Sequence, residues 1–77
     1  MNEIAKEIRI SDLASAAFAL AKGHQLIRLE RTNGRRCFFV FPEAANADIL
    51  AFFQGEMVQG RAFADAFRNL KTLTYGR

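Results

Sequence analysis

Apolar and polar positions change rhythm several times along this chain, and each change marks an element. Residues 1–6 show no period and are expected to fray. Glu7-Ile8-Arg9-Ile10 then alternates with period two, which predicts a short strand or an extended arm. Ser11 is the expected N-cap of a helix over Leu13–Lys22, and Asp12 adds negative charge at the positive end of its dipole. Leu13, Ala14, Ala16, Ala17, Phe18, Ala19, Leu20 and Ala21 make this helix apolar on nearly every side, so it should be buried on several sides. Gly23 follows the last turn, where a left-handed residue closes a helix with least strain.

Two strand-like runs, Gln25 to Thr32 and Arg35 to Phe41, flank Asn33-Gly34. That dipeptide suits a two-residue type I′ turn, because both central residues need positive φ. Such a turn places Leu29 opposite Phe38, Arg28 opposite Phe39, Ile27 opposite Val40 and Arg31 opposite Arg36. Period two then sorts the faces. Ile27, Leu29, Phe38 and Val40 form the expected core face. Leu26, Arg28, Glu30, Cys37, Phe39 and Phe41 form an amphipathic face that asks for cover.

Pro42 lacks an N–H and should end the second strand. Asn46 is the expected cap of a short helix with Ile49, Phe52 and Phe53 on one face, stopped by Gly55. Arg61 to Thr74 predicts the best helix. Its stripe is Phe63, Ala66, Phe67, Leu70 and Leu73, while Asp65, Arg68, Asn69 and Lys71 face water. The sum is an α+β fold: a short N-terminal strand or arm, a buried helix, an antiparallel hairpin, then two helices packed on the small sheet.

At 77 residues the chain allows one domain, 1–77, and a small one, so its core must be dense. Eight phenylalanines supply that density. Cys37 is the only cysteine and cannot pair within the chain; with no export signal evident among residues 1–10, it points to a reducing, cytoplasmic setting. No apolar run approaches the roughly 20 residues that span a bilayer, so no membrane is expected.

Candidate chemistry is thin. His24 and Cys37 are the only residues of their kinds, too few to predict a metal site, and no glycine-rich phosphate loop appears. No catalytic residue, cofactor or small-molecule substrate is inferred, and an enzyme ranks third among the readings. The net charge is +3, and the basic residues Lys22, His24, Arg28, Arg31, Arg35 and Arg36 gather on or just before the hairpin. A ribbon so placed could grip phosphates, which makes nucleic-acid binding the second reading. The first is a non-catalytic module that binds a protein partner or a second copy of itself. It rests on apolar excess, with Phe18, Leu26, Phe39 and Phe41 as the expected interface.

Four segments carry a resemblance: Ala21-Lys22-Gly23-His24, Phe39-Val40-Phe41, Phe52-Phe53-Gln54-Gly55 and Leu70-Lys71-Thr72-Leu73-Thr74-Tyr75. In order and spacing, from about Ile8 to Tyr75, they resemble a family of small bacterial and phage-encoded domains of unknown function. The resemblance implies a bacterial or prophage origin. It carries over no activity, cofactor or site residue.

Overall fold

The computed structural model describes residues 6–32 and 36–75. Strand β1 (Glu7–Ile10) leads into helix α1 (Leu13–Ala21). Strands β2 (Arg28–Arg31) and β3 (Cys37–Pro42) follow, then helices α2 (Ala45–Phe53) and α3 (Gly60–Tyr75). The sheet is antiparallel in the order β1-β3-β2, so the extended arm of the sequence reading is an edge strand and β3 is central. The α+β class is as the sequence implied.

The helix ends show what the local sequence decides. Asp12, rather than Ser11, caps α1: its backbone is extended and its carboxylate accepts from both the backbone N–H and the hydroxyl of Ser15, at 2.9 and 2.6 Å. Ser15 is buried, so its hydroxyl needs an acceptor, and the carboxylate serves both donors at once. At the other end Gly23 adopts φ +103°, with Gly23 N–H donating to the Leu20 carbonyl and His24 N–H to that of Ala19. Gly55 repeats this after α2 with φ +92°, its N–H bonding Phe52 and that of Glu56 bonding Ala51. Both are Schellman closures, which need the left-handed backbone that glycine adopts without strain. The expected Asn46 cap is not formed: α2 begins earlier, behind Ala44, with no side-chain cap.

The hairpin register differs from expectation by one residue. Leu29 lies opposite Phe39, Glu30 opposite Phe38, Arg31 opposite Cys37 and Arg28 opposite Val40. Thr32 N–H closes the ladder on the Arg36 carbonyl, leaving three residues, 33–35, between that bonded pair; the Asn33-Gly34 turn itself lies outside the described residues. A one-residue slip exchanges the faces of one strand relative to the other. Here it gathers Phe39 and Phe41 with Leu29, Ile8 and Ile10 beneath the helices, and sends Phe38 and Val40 to the other side. Two phenylalanines bury more apolar area than one phenylalanine and a valine, which favours the observed register over the shorter turn.

The core lies between this face and the helices. Ala16, Ala17 and Ala19 of α1 meet Ile49 of α2 and Ala66 and Leu70 of α3. Alanines on α1 let both later helices close on it, so α1 is the centre of the helical layer. Phe18 is fully buried and heads a row of rings, with Phe52 at 4.9 Å, Phe63 a further 6.5 Å on and Phe67 5.9 Å beyond that.

Candidate binding surface

The outer face of the sheet carries Arg28 of the basic set, together with Glu7, Arg9 and Glu30. Antiparallel pairing sets Arg9 of β1 and Arg28 of β2 on either side of Val40. Glu30 accepts from Arg9 Nε at 2.8 Å and from Arg28 Nε at 2.8 Å. Arg28 also reaches Glu7 with both terminal nitrogens, at 2.9 and 3.2 Å. Arg9–Glu30 and Arg28–Glu7 thus cross the central strand in opposite directions, and Arg28–Glu30 joins them. Their aliphatic stems cover Val40, which is 0% exposed although it faces away from the helices. The hydrogen bond from Arg28 holds the Glu7 carboxyl below its ordinary value. Those from Arg9 and Arg28 do the same for Glu30. The guanidinium of Arg28 is pushed up by its bonds to Glu7 and Glu30.

The other basic candidates are also engaged. Lys22 Nζ donates to Glu56 at 2.8 Å and lies 5.7 Å from the Phe18 ring centre; that bond to Glu56 raises the pKa of its ammonium. His24 Nε2 lies 2.6 Å from Asp48, so the closing turn of α1 is tied to the start of α2 and to the segment after it. Arg31 donates to the carbonyls of Leu73 and Thr74, both at 3.1 Å, satisfying the exposed end of α3, and approaches Cys37 Sγ at 3.4 Å. Arg36 sits 6.0 Å from the Phe38 ring centre. Arg35 lies outside the described residues. Among the described residues of the basic hairpin, Arg28 and Arg31 are therefore internal ties, and Arg36 keeps its contact with Phe38. His24 and Cys37 have separate partners, Asp48 and Arg31.

The expected apolar interface is corrected in the same way. Phe18, Phe39 and Phe41 are buried within the chain's own core, and half-buried Leu26 packs against it, so none of the phenylalanines offers surface to a partner. A cleft of about 350 Å³ lies beside Cys37, floored by Leu13 and Phe39 and edged by Ser11, Arg36 and Tyr75.

The exposed apolar surface lies elsewhere. Ala45, Ile49 and Phe52 turn inward on α2; Leu50 and Phe53, one residue later each, turn outward and are 56% and 68% exposed. Met57, past the helix, is 86% exposed. The Phe53 ring lies 5.6 Å from Phe52, which continues the surface toward Phe63 and Phe67. Those two rings, half-buried rather than fully buried as the stripe on α3 implied, wall an open groove of about 440 Å³ with Ala64, Arg68 and Lys71. A second groove of about 360 Å³ shares Arg68 and Lys71 and runs on to Thr72 and Tyr75. The sequence held one signal of this surface: Leu50 and Phe53 make α2 apolar around more of its circumference than one contact needs. No family model, no curated protein and no solved structure matches this chain.

Proposed function

We propose that this chain is a non-catalytic binding module that holds a protein partner against the α2–α3 flank. The observation that carries the reading is exposed Phe53, continuous through Phe52 with the groove walled by Phe63 and Phe67, with Leu50 one turn before it on α2 and Met57 just past the helix also exposed. Contiguous exposed apolar surface on a small domain is costly in water and marks sites of association. The engagement of Lys22, His24, Arg28 and Arg31 by internal partners argues for a protein rather than a nucleic acid as the bound macromolecule. The resemblance noted above supports a bacterial or phage setting, and the lone Cys37 a reducing one such as the cytoplasm.

A photo-crosslinking phenylalanine analogue tests this when placed at position 53 and, as a control, at position 9. In cells that express the protein, position 53 should yield a discrete protein adduct and position 9 none. A nuclease-sensitive adduct, or no adduct at position 53, would overturn the proposal. Among the described residues no helix is long and apolar enough to cross a membrane.

A further inference from the structure

We infer that the partner segment is an amphipathic helix with acidic flanks, seated in the groove between Phe63 and Phe67 on one side and Arg68 and Lys71 on the other. This rests on the binding-module reading and adds the chemistry of the occupant. Among the described residues every carboxylate except Glu43 has a polar partner: Glu7, Glu30, Asp48, Glu56 and Asp65 in ion pairs and Asp12 in its cap. Among the described residues Lys6, Arg31, Arg36, Arg61 and Lys71 have no carboxylate partner, and Arg31 is held by backbone carbonyls instead. Two of these five are on α3. Helical spacing sets Arg61, Arg68 and Lys71 along its outward side, where Asp65, paired with Arg68 at 3.0 Å, is the one acid. The rim of the groove is therefore cationic.

The same distribution disfavours a copy of the same surface. A two-fold dimer through this flank would gather Arg61, Arg68 and Lys71 of both copies in one interface, with Asp65 the one acid from each α3. Like charges opposed across an interface cost association, whereas a partner with Asp or Glu beside its apolar anchors is attracted. The walls favour side chains over bases. The Phe63 ring centre lies 6.5 Å from that of Phe52, at 21°, and 5.9 Å from that of Phe67. Base stacking needs a free ring face, and these neighbours crowd the Phe63 ring. Apolar side chains one helical turn apart, in contrast, can fill a groove of about 440 Å³ while their flanks meet Arg68 and Lys71.

The test is an NMR titration of the full isotope-labelled chain with three helical peptides of equal length. All carry leucines at helical i, i+3, i+4 and i+7 spacing; their remaining positions are mainly Glu, Gln or Lys. The Glu peptide should shift the amides of Phe63, Phe67 and Lys71 and bind about tenfold more tightly than the Gln peptide at low salt, the advantage shrinking as salt is added. The Lys peptide should bind least. Arg61→Glu with Lys71→Glu, at exposed positions, should leave the fold intact and reverse the order of the Glu and Lys peptides. Equal binding of the Glu and Gln peptides at the groove would overturn the acidic occupant and leave the module reading standing. Shifts confined to the Arg9 and Arg28 face, or produced at the groove by an oligothymidylate and not by peptides, would overturn both.

Discussion

The outer face of the sheet and the α2–α3 flank are both exposed, yet they are opposites. On the sheet, Arg9, Arg28, Glu7 and Glu30 bond one another and their stems seal Val40. On the flank, Leu50, Phe53 and Met57 meet no comparable cover, and Lys71 stands beside the groove without a carboxylate partner among the described residues. A face rich in charge is thus chemically closed, and a flank rich in carbon is open. Charge density on a surface says little about binding until the partners of each charge are known. Apolar exposure says more, because nothing on the molecule compensates it.

The largest expected effect separates the buried root of the flank from its exposed end. Phe18→Ala removes a fully buried ring at the head of the aromatic row and should cost about 3–5 kcal/mol in a denaturant titration. Phe53→Ala, at the exposed end, should stay within about 0.5 kcal/mol. Equal losses would mean that Phe53 is covered and the flank is closed after all.

On the sheet face, Glu30→Ala removes the bonds from Arg9 and from Arg28 and frees the Arg9 stem, while Glu7 still holds Arg28. The melting temperature should fall, by less than in Phe18→Ala, and the fall should be greater at low salt. A variant that melts like the parent at low salt would show that the lattice is only loosely formed.

The same lattice makes a pH prediction. Glu7 and Glu30 titrate below their ordinary value of 4.5 in the fold, so the unfolded chain binds protons first as acid is added. Their stabilisation is fully present above that value and is lost as pH falls through the lowered folded values. Glu7→Gln with Glu30→Gln should flatten the acid limb of a melting curve series relative to the parent. Lys22 acts at the other end of the scale: Glu56 raises it above 10.5, so its contribution is complete below that value and disappears as pH climbs through the raised one.

The smallest effect is local. Arg31→Ser withdraws the donors that satisfy the Leu73 and Thr74 carbonyls, so the last turn of α3 should exchange its amide hydrogens faster while the melting temperature changes little. Unchanged exchange at Thr74 and Tyr75 would show that water serves those carbonyls equally well.

The elements of the fold are legible in the sequence because each rests on neighbours within a turn or a strand. The alternation at Glu7–Ile10, the helical spacing of Ala66 and Leu70 and the glycines at 23 and 55 need only local geometry, and each stands where its pattern implied. The faces are another matter. The choice between Phe38 with Val40 and Phe39 with Phe41 as the pair beneath the helices turns on the area gained there, which outweighs the local preference of a dipeptide turn. Arg28 and Arg31 look free in the chain because their partners, Glu7 and the end of α3, are 21 and more than 40 residues away. Phe18 and Phe53 look alike for the same reason: a ring in an apolar helix carries no mark of which side its neighbours will occupy. Packing between distant segments put one at the centre and left the other in water.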